Sequence, residues 1–184
     1  WKLIKLKIYN KIKIYEIDLL DTKNLDTFLK INNFSKIYNF AGYSSVKNSI
    51  KNDKIANNIN VLSLFNILNY YRDNKKIKIF HSLSSEMFGI ANKKHQNEKT
   101  PLRPITPYGL SKKIKFLTIK EFRKFYNLKI YTAIFYNHNS MFSSEEFVFN
   151  KIALAFKKFK NGEKYTLKLG DIKVKRDWGC AEEY

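Results

Sequence analysis

Three short apolar runs with little polar interruption, residues 36–41 (KIYNFA), 76–83 (KIKIFHSL) and 129–136 (KIYTAIFY), are each followed by a stretch with helical spacing. Strands that read this way bury both faces, and helices between them supply the crossovers that parallel pairing needs. The pattern predicts an α/β chain built on a parallel sheet with helices on both faces. In such sheets ligands bind beyond the carboxyl ends of the strands. Attention therefore falls on residues 76–124, where a strand ends in His81-Ser82-Leu83-Ser84-Ser85-Glu86 and a helix opens with Pro107-Tyr108-Gly109-Leu110-Ser111-Lys112.

The remaining elements follow by periodicity and end signals. Residues 11–18 (KIKIYEID) alternate apolar and charged positions and are expected to form a strand. Asp21-Thr22 offers a cap for a helix to about Leu29, and Ile55, Ile59, Leu62, Phe65, Ile67 and Leu68 outline a helix over 54–71. Thr106 suits the N-cap position before Pro107 for a helix running to about Tyr126. A further helix is expected from about Glu146 to Lys160, and a last strand over 165–169.

The 184 residues suffice for one domain with a core, and no apolar run is long enough to cross a bilayer. One cysteine, Cys180, excludes an internal disulfide and fits a reducing compartment, so a cytoplasmic location is expected. The net charge of +19 raises the question of polyanion binding. Arginine, whose forked guanidinium reads phosphates and bases, occurs only at 72, 103, 123 and 176, while lysine is spread over every element. A lysine-rich bias on solvated faces explains the charge better than a nucleic-acid or membrane partner. His81, His95 and His138 lie in unrelated contexts, and no metal site is expected.

Tyr-x-x-x-Lys occurs four times, at Tyr9/Lys13, Tyr43/Lys47, Tyr71/Lys75 and Tyr108/Lys112. Only the last opens a strong helix after a strand that ends in hydroxyls, and residues four apart share a helix face. A phenol with an ordinary pKa of about 10 needs a neighbouring ammonium to serve as a base near neutrality. Ser84-Ser85-Glu86 is consistent with a helix-turn cap, or with a hydroxyl holding a substrate oxygen beside a carboxylate that takes a proton from carbon. No Gly-x-Gly-x-x-Gly or Gly-x-x-Gly-x-x-Gly is present.

These landmarks together resemble the extended short-chain dehydrogenase/reductases, and among them the GDP-mannose 4,6-dehydratase family. The resemblance rests on Ile17-Asp18-Leu19-Leu20-Asp21, Ile37-Tyr38-Asn39-Phe40-Ala41-Gly42-Tyr43-Ser44, Leu83-Ser84-Ser85-Glu86-Met87-Phe88-Gly89, Pro107 to Lys112, Tyr136-Asn137-His138-Asn139-Ser140 and Arg176-Asp177-Trp178-Gly179. It implies a Rossmann-type, doubly wound parallel sheet lacking its first βαβ unit. Residues 1–140 would be the NADP-binding part and 141–184 the start of a sugar-nucleotide-binding region. Because the chain opens on Trp1 and stops at Glu182-Glu183-Tyr184, an internal piece of a longer, homo-oligomeric protein is expected, inactive when isolated.

The implied reaction converts GDP-mannose to its 4-keto-6-deoxy sugar on NADP, with NAD left open, in nucleotide-sugar metabolism leading to GDP-fucose. Tyr108 would take the proton of the 4-hydroxyl as hydride leaves C4, with Ser84 holding that hydroxyl and Lys112 binding the nicotinamide ribose. Glu86 would remove the C5 proton, water would leave C6, and the hydride would return there. Asp18 and Leu19 would lie by the adenine, Phe40, Ala41, Gly42, Tyr43 and Ser44 along the pyrophosphate and ribose, and His138 near the nicotinamide. Ser85, Asn137, Val148, Lys151 and Arg176 would face the sugar nucleotide. The chain departs from the family pattern at Ser84 (usually threonine), Ile55 (tyrosine), Asn150 (arginine) and Met141 to Ser144, where two arginines are replaced. Another sugar-nucleotide dehydratase, a 4-epimerase and a non-catalytic degenerate fragment stay open as alternatives.

Overall fold

The computed structural model describes residues 2–90 and 95–184. Positions 91–94, the start of the polar loop expected before Pro107, lie outside the described residues. The chain divides into two compact units, Tyr15–Phe135 and a second made of Trp1–Ile14 with Tyr136–Tyr184. A short helix α1 (Lys2–Lys5) belongs to the second unit, and the larger unit begins its regular structure at α2 (Thr22–Asn32). There the Asp21 carboxylate accepts from the Asn24 amide at 3.0 Å, and Asn33 ends the helix in the left-handed region.

Three strands, β1 (Lys36–Asn39), β2 (Lys78–Ser84) and β3 (Ile130–Phe135), form a parallel sheet in the order β1-β2-β3. The register lines up Ile37, Ile79 and Ile130 in one row and Tyr38, Phe80 and Tyr131 in the next. Side chains alternate across a pleated sheet, so these rows point to opposite faces. The isoleucine row meets helices: Leu25 and Leu29 of α2, Leu64, Ile67, Leu68 and Tyr71 of α5 (Ser63–Asp73) and Ile119 of α6 (Pro107–Tyr126) close one core. The aromatic row is different. Tyr38 and Tyr131 are 65 % and 53 % exposed, beside Phe40 at 62 %. The apolar runs were expected to be buried on both faces; within this unit the hydrophobic core lies on one, and the other presents aromatic rings tilted against one another, Phe40 and Phe80 with centroids 5.5 Å apart.

The helix predicted over 54–71 is formed: α4 (Asp53–Asn57), a π-helical turn Asn58–Leu62 and α5 follow one another with helical backbone at both junctions, and a separate short helix, α3 (Val46–Lys51), precedes them. Asn52, with φ −135° and ψ 55°, separates α3 from α4. Helix α6 follows the sequence closely. Thr106 Oγ1 accepts from the Gly109 amide at 3.0 Å, Pro107 takes a first-turn position, and Asn127 in the left-handed region ends it.

Two expected strands are not formed. Residues 12–18 run without a pairing partner: Tyr15 packs edge-on to Phe28 at 5.0 Å while Ile17 and Leu19 tuck against the core. Residues 165–169 are exposed and irregular. Alternation supplies a face to bury, but a strand also needs a neighbour to take its N–H and C=O groups, and neither segment has one among the described residues. In the second unit β4 (Asn137–Asn139) pairs in parallel with β5 (Trp178–Cys180), and α7 (Val148–Lys160) follows β4. Asn139 Nδ2 donates to Asn150 Oδ1 of α7 at 3.1 Å, and Phe149 meets Trp178 edge-on at 4.5 Å. No helix among the described residues is long and apolar enough to cross a membrane.

Candidate active site

Strand β2 ends in a tight turn at the carboxyl edge of the sheet. Ser84 Oγ accepts from the Glu86 amide at 3.3 Å and opens the 3₁₀ turn Ser85–Phe88, in which Met87 and Phe88 are buried and Ser84, Ser85 and Glu86 are half-buried. The first turn of α6 lies directly against this turn. A Cβ on Gly109 would stand 2.5 Å from the Glu86 carbonyl oxygen and 3.1 Å from Pro104 Cβ, so only glycine permits the approach. The closeness seats Tyr108 beside both groups that the sequence singled out: the Ser84 side chain and the Glu86 carboxylate both bear on its phenol. One turn on, Lys112 Nζ lies 5.5 Å from the Tyr108 ring centroid and donates to the Ser82 carbonyl at 3.4 Å. Ser84, Glu86, Tyr108 and Lys112 are thus assembled at one sheet edge.

Burial sets the electrostatics. The Tyr108 phenol is pushed above its ordinary value by burial, opposed by the Ser84 side chain and reinforced by Glu86. The expectation was a phenol lowered by Lys112; in the folded chain desolvation sets the direction instead, because the neutral phenol loses less on leaving water than the phenolate does. Burial also lowers Lys112 to about 8.

The loop after β1 reaches the same place. Asn39 is buried and its Oδ1 accepts from the Ala41 amide at 3.0 Å, while its Nδ2 is buried with no partner. Phe40, Ala41, Gly42 and Ser44 are exposed and Tyr43 is half-buried. A Cβ on Gly42 would come within 2.6 Å of Asn60 Oδ1 and 3.9 Å of Lys112 Nζ, so this loop runs beside the amine. Asn60, unforeseen in the sequence, holds it there. From the π-helical turn its Oδ1 accepts from the Tyr43 amide at 2.8 Å, and its Nδ2 donates to the Tyr43 carbonyl at 3.1 Å and to Ser111 Oγ at 2.9 Å. Its only sequence signal was an amide inside an apolar stripe, which exposed asparagines share.

Asp18 is exposed and caps the Leu20 amide at 2.9 Å, and Leu19 packs on the core rather than standing free. Asn137 and His138 lie on β4, where His138 Nδ1 is 2.9 Å from the Tyr136 carbonyl and its ring is 5.5 Å from Tyr184. Val148 and Lys151 are half-buried in the first turn of α7, and Arg176 is exposed with Nη1 donating to the Lys175 carbonyl at 3.1 Å. All five belong to the second unit. Among the described residues no three His, Cys, Asp or Glu side chains gather as metal ligands would.

Residues 2–184 match the family model described as GDP-mannose 4,6 dehydratase. The chain belongs to that family. A GDP-mannose 4,6 dehydratase of Dictyostelium discoideum is 30% identical over 186 residues, covering 100% of this chain and 52% of the relative. The human GDP-mannose 4,6 dehydratase is 28% identical over 180 residues, or 96% of this chain and 48% of its own length. The chain thus spans about half the length of these curated relatives. Among solved structures, a dTDP-glucose 4,6-dehydratase of Streptomyces venezuelae with NAD bound superposes with a TM-score of 0.85 at 22% identity, covering 98% of this chain and 54% of that one. At that identity the likeness shows the fold, an α/β fold of Rossmann type, and the family match carries the rest.

Proposed function

We propose that this chain contributes the catalytic half of a GDP-mannose 4,6-dehydratase, with Tyr108, Lys112, Ser84 and Glu86 acting on the sugar. The observation that carries the reading is the meeting of a phenol, a hydroxyl and a carboxylate at one strand end with a buried amine behind them. A nicotinamide cofactor, NADP in this reading, would supply the acceptor and donor of the hydride. Its fit rests on Asn39 Nδ2, a buried donor without a partner at the end of β1, and on Lys112 Nζ beside the Gly42 loop. These two groups would hold the ribose, with Phe40, Ala41, Gly42, Tyr43 and Ser44 alongside. Asp18 and Leu19 would flank the adenine, His138 the nicotinamide, and Ser85, Asn137, Val148, Lys151 and Arg176 the sugar nucleotide, which we take to be GDP-mannose.

Tyr108 then removes the proton of the sugar 4-hydroxyl, which Ser84 holds in line. Burial favours the neutral phenol, so the Lys112 ammonium is needed to stabilise the phenolate that forms. Oxidation at C4 acidifies the neighbouring C–H bond. Glu86, half-buried and one short turn from Ser84, takes the C5 proton as hydroxide leaves C6. A 4-epimerase has no use for a base at C5, so Glu86 favours dehydration over that second reading.

The test is turnover of GDP-mannose with NADP in deuterated water by the protein that carries these residues. The expected result is a 4-keto-6-deoxy product with solvent deuterium at C5, and a loss of roughly 10²-fold or more in Glu86→Gln, the usual worth of a positioned acid–base group. Undiminished turnover in Glu86→Gln, or a product without C5 exchange, would exclude the proposed chemistry.

A further inference from the structure

Leu102, Arg103 and Pro104, in the loop before α6, reach both the turn that carries Glu86 and the first turns of the helix that carries Tyr108. On the first side they meet Gly89. This residue closes the 3₁₀ turn with φ +69°, its amide donates to the Glu86 carbonyl at 3.3 Å, and it forms an isolated parallel bridge with Arg103. A Cβ on Gly89 would collide with the Arg103 carbonyl oxygen and stand 3.5 Å from Pro104 Cα, so the backbone conformation and the approach of the loop both require glycine. On the second side they meet α6. Pro104 Cβ lies 3.1 Å from where a Cβ on Gly109 would stand, and Lys113 Nζ, one turn further along the helix, donates to the Leu102 carbonyl at 3.1 Å.

The turn Ser85–Phe88 is four residues long, and 3₁₀ hydrogen bonds are less well aligned than those of an α-helix. Such a turn holds itself weakly. Yet a base that takes a proton from carbon must stand within hydrogen-bond reach of it, and a misplacement of about 1 Å costs on the order of 10²-fold in rate. The placement of Glu86 therefore has to come from what packs on its turn. Leu102–Pro104 touches that turn at Gly89 and is fastened to α6 by Lys113 and by the contact of Pro104 with Gly109.

We propose that Leu102–Pro104 is a strap that positions Glu86 against the Tyr108 end of α6, with Lys113 and Gly89 as positioning residues at its two anchor points. This deepens the function proposed above, in which Glu86 removes the C5 proton. Neither anchor touches the sugar in that reading. Both act through the turn, Gly89 by letting the loop pass and Lys113 by tying the loop to the helix.

Gly89→Ala would strain the backbone itself, so the deciding variant is Lys113→Met, which removes one tie and keeps an aliphatic side chain. Amide hydrogen exchange in the chain without cofactor or sugar nucleotide reads the strap directly. The Gly89 amide is expected to exchange about fivefold faster in Lys113→Met, the worth of one net hydrogen bond, with the amides of β2 unchanged and the original rate restored in Lys113→Arg, which keeps a donor. Unaltered Gly89 exchange in Lys113→Met, or faster exchange throughout β2 as well, would overturn the proposal. In the protein that carries these residues, kcat for GDP-mannose with NADP is expected to fall roughly tenfold in Lys113→Met at unchanged KM and to recover in Lys113→Arg. A kcat that does not move, or a fall shared by Lys113→Arg, counts against the strap. Glu86→Gln measured alongside separates the two readings: full turnover there sinks the reaction proposed above, while the exchange rates still decide whether the strap holds the turn.

Discussion

Tyr108, Lys112 and Lys115 line one face of α6 because residues three and four apart on a helix stack in a row. Enclosing two amines there costs stability that depends on pH. Lysines whose folded values fall below the unfolded value bind fewer protons when folded, so stability rises with pH across the interval between the two values. For Lys115 the interval runs from about 7 to the ordinary 10.5. Lys115→Met is therefore expected to be more stable than the unsubstituted chain at pH 6, by on the order of 5 kcal/mol at most. That difference should shrink as pH is raised toward 10, which urea unfolding at several pH values measures. A gap independent of pH would mean that packing, not charge, separates the two. Asn60 is the converse case, a buried amide with every contact used. Asn60→Leu strips the Tyr43 backbone and Ser111 of partners, and the loss in unfolding free energy should be about 2–3 kcal/mol.

At the scale of the element, the site depends on how closely α6 can approach the turn after β2. Gly109→Ala inserts a methyl group 2.5 Å from the Glu86 carbonyl oxygen, so helix and turn must separate. The expected cost is about 1–3 kcal/mol, as for other overpacked sites. Tyr108 fluorescence quenching and turnover should change more than for Thr106→Ala, which removes only the N-cap bond and should cost about 1 kcal/mol. Equal effects of the two substitutions would show that the approach of α6 to Glu86 is not what seats the phenol. Helix α6 and the caps Asp21 and Thr106 were legible in the sequence because periodicity and capping are local properties of the chain. The π-helical turn was not, since the apolar spacing of 54–71 continues through it.

Across the whole chain, the charge of +19 is unbalanced, and the ion pairs among described residues include the exposed Lys30–Asp26 and Arg72–Asp73. Self-repulsion on this scale is screened by salt, so the thermal midpoint should rise as ionic strength is raised from about 0.01 M to 0.15 M, where the screening length drops from roughly 30 Å to 8 Å. A midpoint that falls with salt would mean that specific surface pairs outweigh the net charge. The sequence by itself determined the alternation of strand and helix, the parallel sheet that follows from it, and the phenol, amine, hydroxyl and carboxylate of the candidate site. Each of these is written in a periodicity or a short spacing. Only the tertiary structure decided that residues 12–18 and 165–169 form no strand pairing among the described residues, that Asn60 clamps the Tyr43 loop, and that Lys115 and His81 lie buried. Pairing, burial and desolvation are set by which distant segments meet, and that information lies in no single stretch of the chain.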